Sequence, residues 1–306
     1  MRQPSFRERF WAWWEGYEIK PPPPRPITTP SSGHDVRFEP ERPFWETARV
    51  RLAQDLWGEG FITPGDAEYV SSMAKYFGLD PAMSVLDIGA GLGGATRTMS
   101  ENFGVWVTGL ESRPELVEAG MALSVKSGLA KRAPVVAFDP ANLEGKPNSI
   151  DCIFSKDFMY SIKDKAEFLK SVEMLLKSRG QFLFTDYVID RKKGRTSGVE
   201  EWIEKEPTAV HPWSVEDYRE VLSQLHMDIR VVEDNTQTCK AIISKGWADF
   251  ARRIEAAGDV EPDMATALLE EADLWARRMA LFDAGELKVC RFHVLKRDTK
   301  RLLSSW

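Results

Sequence analysis

Apolar positions along the chain alternate between two rhythms. Short apolar runs at 84–88, 105–110, 134–138, 149–154, 181–186, 227–232 and 287–295 predict strands. Between them lie stretches with apolar residues at helical spacing. The clearest is 165–177, where Phe168, Leu169, Val172, Leu175 and Leu176 recur at i, i+1, i+4, i+7 and i+8 and share one face. Helices are also predicted at 44–57, 67–77, 92–103 and 113–127, from Ser214 onward, and as two or three helices over 236–284. Punctuation agrees: Asp66 and Ser214 suit N-caps, Asp217 stands three residues after Ser214, Pro114 sits in a first turn, and Gly180 is expected to end helix 165–177. Strands alternating with such helices predict an α/β fold, Rossmann-like and doubly wound, with a mostly parallel seven-stranded sheet covered on both faces. Ligands of such sheets bind outside the C-terminal strand ends, here Gly89, Glu111, Asp139, Asp157 and Asp186.

The stretch 84–96 carries the strongest chemistry. Val85, Leu86 and Ile88 suit a buried strand, and Asp87 sits inside its end. Gly89, Gly91, Gly93 and Gly94 follow, and then a helical segment opens. Glycines let the backbone turn sharply and approach a ligand without a Cβ in the way, and a helix N-terminus offers free N–H groups to it. Glu111, at the end of the next strand-like run, stands where a ribose diol is gripped in nucleotide-binding folds.

Composition narrows the options. The chain has 306 residues, a net charge of −6 and no long basic block, which argues against a nucleic-acid partner. Cys152, Cys239 and Cys290 and the four histidines are scattered, so no metal site is expected and a reducing, cytoplasmic setting is. No apolar run approaches the roughly 18 residues of a membrane span. Residues 1–43 are expected to form an aromatic and Pro-rich arm and linker. Phe6, Phe10, Trp11, Trp13, Trp14 and Tyr17 there suit packing on the protein's own domain, on a second copy in a homodimer, or on a membrane surface. The main domain is expected at 44–298, with a core of 44–190, 212–235 and 286–298, a helical cap of 191–211 and 236–285, and a tail at 299–306.

With these motifs in place, the order of elements and the run 85–94 resemble class I S-adenosylmethionine-dependent methyltransferases. The resemblance implies that the glycine run, with Asp87, Gly89, Gly91 and Gly93, cradles the methionine part of the cofactor. It further implies that Glu111 binds the ribose hydroxyls, that Asp139 and Pro140 lie beside the adenine, and that the last strand is inserted antiparallel. A closer resemblance is to phosphoethanolamine N-methyltransferases, over about 44–297. Segment 57–62, with Ile62, is similar to the piece that closes over their cofactor. Ser155-Lys156-Asp157 resembles their Ser-Arg-Asp, and Thr185-Asp186-Tyr187 matches their Thr-Asp-Tyr. Segments 232–236 and 275–278 resemble their cap, where a basic residue, here Arg278, meets the substrate phosphate.

One departure stands out. The family's histidine, four residues after the Asp of Ser-Arg-Asp, is replaced by Ser161, and its tyrosine partner falls at Trp45. Methyl transfer needs a nucleophile aligned with the methyl in a water-poor pocket, and no protein nucleophile or metal. A protonated amine must still lose its proton. Candidates for that task are Asp157, Tyr160, Ser161, Asp186 and His211, although Ser161 and Asp164 also compete as caps of the following helix. Trp45, Trp202, Tyr160, Tyr187 and Arg278 are candidates for acceptor contact. The expected activity is methyl transfer to a small molecule, an amine of phospho-base or lipid-related type first. O- or C-methylation of a quinone-like acceptor and a catalytically inactive cofactor-binding partner subunit stay open. A nicotinamide dehydrogenase fits less well, because the glycine spacing departs from the dinucleotide fingerprint.

Overall fold

The computed structural model describes residues 44–257 and 262–298. The arm and linker expected at 1–43 and the tail at 299–306 lie outside the described residues. Seven strands form one sheet in the order β3-β2-β1-β4-β5-β7-β6. They are β1 (Ser84–Ile88), β2 (Trp106–Glu111), β3 (Val135–Ala137), β4 (Ile150–Ser155), β5 (Leu176–Ile189), β6 (Met227–Asp234) and β7 (Leu287–Lys296). The first five pair in parallel, and β7 runs antiparallel to both β5 and β6. The chain leaves β1 toward β2 and β3, then returns to β4 on the other side. That reversal opens a crevice at the C-terminal ends of β1 and β4.

Both faces are covered because side chains alternate along each strand. Val85, Val107 and Leu183 point into one core cluster, with α1 (Thr47–Trp57), α2 (Ala67–Ala74) and α3 (Gly94–Phe103). Leu86, Ile88, Ile153, Phe182 and Phe184 point into the other, with α5 (Lys165–Leu175) and α7 (Val215–Gln224). Helix α4 (Pro114–Lys126) packs near β3. The cap consists of α6 (Ser197–Lys205), α8 (Thr236–Ala257) and α9 (Pro262–Ala284), so the described part of 236–284 forms two helices.

Local signals explain most boundaries. Asp66 accepts from Tyr69 N at 3.0 Å, and Ser214 and Asp217 form a reciprocal capping box. Asp164, not Ser161, caps α5, accepting from Glu167 N at 3.1 Å. The expected stop at Gly180 is corrected. Helix α5 ends at Leu175 because Leu176 turns extended and pairs with Ile150 of β4. Gly180 lies within β5, next to Arg179 at a left-handed φ of 62°.

The cap is tied to the core by buried charge. Arg49 of α1 donates to Glu271 of α9 at 2.7 Å, with both side chains under 10 % exposed (4 % and 7 %). Arg49 also pairs with the exposed Glu270. Beside them Trp57 and Trp275 meet edge-on with ring centroids 5.4 Å apart. Glu271→Ala leaves the Arg49 guanidinium buried with only the exposed Glu270, and should cost about 3 kcal/mol of stability. Urea unfolding of the variant against the parent protein measures this, and a change below about 1 kcal/mol would mean the pair does not hold the cap.

Candidate active site

The chain makes its sharpest turns just beyond β1. Gly89 and Gly91 have φ of 76° and 55°, conformations that L side chains rarely adopt. A Cβ at Gly89 would lie 2.4 Å from the Phe158 ring, and one at Gly91 would lie 2.8 Å from Ile62. Glu111, 4 % exposed at the end of β2, holds this loop. Its Oε1 accepts from Ser112 N at 2.7 Å and Arg113 N at 2.9 Å, and its Oε2 from Gly91 N at 2.8 Å. Burial raises its pKa, and these N–H donors pull it back. Oε2 accepts from one donor among the described residues, so it keeps a lone pair for a ligand hydroxyl. Asp87 is buried behind the loop and accepts from the Thr96 hydroxyl at 2.6 Å; burial pushes its pKa up to about 6.

These groups line a cavity of about 380 Å³, within the range for small-molecule sites. The loop after α1 covers it. Gly94 N donates to Gly60 O at 2.9 Å, so the start of α3 is bonded to that covering segment. Lys156, at the end of β4, reaches across to the same segment. Its ammonium donates to the Thr63 hydroxyl, to Pro64 O at 2.9 Å and to Asp157 Oδ2 at 2.9 Å. Asp157 sits at a left-handed φ of 53°, and its Oδ1 accepts from the Thr185 hydroxyl at 2.8 Å.

The far end of the cavity is roofed by the cap. Trp45, Tyr160, Glu206, Glu271, Trp275 and Arg278 line it. Arg278 and Glu206 form a two-pronged pair, Nε to Oε1 and Nη2 to Oε2, each 2.8 Å. The Trp202 indole also donates to Glu206, at 2.6 Å. Trp275 Nε1 donates to Glu271 at 2.8 Å, and burial raises the Glu271 pKa. Among the described residues that line the cavity, Asp157 is paired with Lys156 and Glu206 with Arg278, while Glu271 is paired with Arg49.

The structure brings together most of the residues expected from sequence. Ile62, Asp87, Gly89, Glu111, Pro140, Asp157, Tyr160, Ser161, Trp45 and Arg278 all line the one cavity. Gly91 and Gly93 shape the loop from behind. Other expectations need correction. Asp139 is exposed, and its carboxylate turns back to accept from Ala141 N at 2.9 Å; Pro140 takes the wall position. Tyr187 is 1 % exposed and packs against Tyr160, Trp202 and Phe282, so it supports the wall without forming it. Trp202 likewise is core, anchored on Glu206. The Ser161 hydroxyl donates to Phe158 O at 2.8 Å. Burial pushes the Tyr160 phenol up to about 12, so it stays protonated at neutral pH. His211 is outside the wall, its backbone N bonded to Tyr160 O at 2.7 Å.

Sequence reasoning missed Lys156, Glu206 and Glu271 as site residues. A signal for Glu271 existed: with Trp275 and Arg278 it stands at i, i+4 and i+7, one stripe of a helix. Glu206 had none, because its partner is 72 residues away. Asp186, expected at a strand end, lies inside β5, which runs on to Ile189, and points to the opposite face from Thr185 and Tyr187. It accepts from the Tyr218 hydroxyl at 2.6 Å, and burial pushes its pKa from 3.8 up to about 6.

A carboxyl whose pKa rises on folding binds a proton more tightly in the native state. Its contribution therefore falls as pH climbs from 3.8 to about 6 and stays low above that. Asp186→Asn removes this loss. Relative to the parent, the variant should gain stability between those limits, approaching about 3 kcal/mol at neutral pH from about 1.4 kcal/mol per pKa unit. Unfolding curves at pH 4, 5, 6 and 7 measure it, and a pH-independent difference would exclude Asp186 as the linked group.

Similarity to known proteins agrees with this architecture. Residues 58–258 match a family model described as a methyltransferase domain. Phosphoethanolamine N-methyltransferase 3 of Arabidopsis thaliana is 28% identical over 201 residues, 66% of this chain and 40% of its own length. Phosphoethanolamine N-methyltransferase of Plasmodium falciparum is 27% identical over 203 residues, 66% of this chain and 70% of its own. The chain thus spans less than half the length of the Arabidopsis relative. Phosphoethanolamine N-methyltransferase 2 of Haemonchus contortus, solved with phosphomonomethylethanolamine and S-adenosylhomocysteine, superposes with a TM-score of 0.72 at 22% identity. That overlap covers 83% of this chain and 59% of the other, and it shows a shared fold. The family match over 58–258, with the glycine loop and the acid that ends β2, makes this chain a member of the methyltransferase domain family.

Proposed function

We propose that the protein transfers a methyl group from S-adenosylmethionine to the nitrogen of a small amine, of the phospho-base class named for its relatives. The observation that carries this reading is one continuous cavity, with the Glu111 loop at one end and the aromatic and charged wall under the cap at the other. The cofactor supplies a methyl on a positively charged sulfur, and the amine lone pair forms the N–C bond as the C–S pair returns to sulfur.

The chain's own residues do the rest. Glu111 Oε2 accepts from a ribose hydroxyl, and the glycine loop gives backbone access to the rest of the cofactor. Pro140 lies along the adenine side. Lys156 holds the covering segment shut on Thr63 and Pro64 while fixing Asp157, which keeps water out. Trp45, Tyr160 and Trp275 offer π faces to a cationic amine. Arg278 is the cation at that end for the acceptor's anionic arm. Asp157 and Glu271 are wall groups able to take the proton the amine gives up. Tyr160 keeps its own proton and orients by donating it. The unit responsible spans 44–298, with 191–211 and 236–285 as the cap.

Incubation with methyl-labelled S-adenosylmethionine and phosphoethanolamine should yield labelled N-methyl product by mass spectrometry. Labelling of a hydroquinone with none of the amine would overturn the assignment. In the same protein, Glu111→Ala should weaken cofactor binding by about 1–3 kcal/mol, the cost of leaving buried hydroxyls unpaired. Calorimetry reads this directly, and an affinity within error of the parent would remove Glu111 from the ribose grip.

A further inference from the structure

Among the described residues three cations line the cavity, and two have partners of their own. Lys156 is bonded to the covering segment and Asp157, and Arg113 donates to Thr208 at 3.2 Å. Arg278 is the remaining cation among the described lining residues, and its fork is already filled by Glu206 at 2.8 Å on both prongs. Both side chains are almost fully buried, 6 % and 3 % exposed. The guanidinium also has aromatic neighbours besides Glu206. It lies 4.6 Å from the Trp275 ring centroid, 5.2 Å from that of Tyr187 and 5.8 Å from that of Tyr160. Glu206 enters from the surface, as the first residue beyond α6, and the next residue, Pro207, is exposed.

We propose that Glu206 is a built-in stand-in for the acceptor's anionic group, and that a phosphomonoester displaces it from Arg278. The exchange deepens the phospho-base reading and rests on it for the identity of the acceptor. A carboxylate and a phosphate present the same two-oxygen edge to a guanidinium fork. The phosphomonoester carries nearly two negative charges at neutral pH against the carboxylate's one. Arg278, held by its aromatic neighbours, keeps its fork aimed at the cavity through the exchange. In the absence of the acceptor, Glu206 spares the protein a buried unpaired cation. An amine without an anionic arm has nothing with which to displace Glu206, so the pair acts as a specificity filter as well as a brace.

The experiment is calorimetric titration of the full chain, with S-adenosylhomocysteine present, using phosphoethanolamine, inorganic phosphate and ethanolamine as separate ligands. Glu206→Gln removes the competing charge and keeps the shape and the Trp202 contact. It should tighten both phosphate ligands by about tenfold or more, as expected when a buried charge competitor is removed, and leave ethanolamine unchanged. Adding Arg278→Met to that variant should abolish the gain. Glu206→Asp keeps the charge but shortens the reach, and should give a smaller tightening; it serves if the Gln variant does not fold. Equal or weaker phosphate binding in folded Glu206 variants overturns the exchange, as does equal tightening for ethanolamine. Methyl transfer is measured separately: tightened phosphate binding without N-methylation would sink the activity and keep the exchange, and turnover with unchanged phosphate affinity would do the reverse.

Discussion

The carboxylate of Glu111 holds the site together. It is a buried charge at the end of a strand, a costly position unless its lone pairs are filled. Backbone N–H groups of Gly91, Ser112 and Arg113 fill all but the one left on Oε2. One bond thereby reaches back 20 residues and sets the shape of the glycine loop. The loop in turn bonds to β2, since Gly89 N and Ala90 N both donate to Leu110 O. The residue that would grip a ribose is thus also the one that builds the surface on which the cofactor would lie.

The rest of the cavity is made by charges that pair across elements distant in sequence. Lys156 links the end of β4 to the covering segment, Arg49 links α1 to α9, and Arg278 links α9 to the end of α6. A buried ion pair adds little net stability compared with a well-packed apolar pair, but it is exacting about geometry, because losing one partner strands the other. Such pairs suit a cap that must sit in one place over a reactive centre. They also leave the cap end of the cavity charged and aromatic.

Alternation along β5 sorts the neighbouring residues. Thr185 and Tyr187 face the cap side, where the first braces Asp157 and the second backs Tyr160. Asp186 between them faces the other core and bonds Tyr218. Three consecutive residues of one strand therefore have three different jobs, and a motif match covering all of them does not distinguish those jobs.

Periodicity and punctuation in the chain were enough to determine the seven strands, the main helices, the caps at Asp66 and Ser214, and the glycine loop with the acid at the end of β2. Those features depend on contacts within one element or between a strand and its adjoining loop, and their residue types are restrictive: glycine at positive φ, an acid at a strand end. The close of α5 at Leu175 was not legible, because pairing of Leu176 with Ile150 overrode helical spacing. Only the tertiary structure decided the cap end of the cavity. Glu206 meets Arg278 across 72 residues and Arg49 meets Glu271 across 222. An acidic or basic residue on a helix reads the same in sequence whether it faces solvent or a buried partner, and only the packing of the cap tells the two apart.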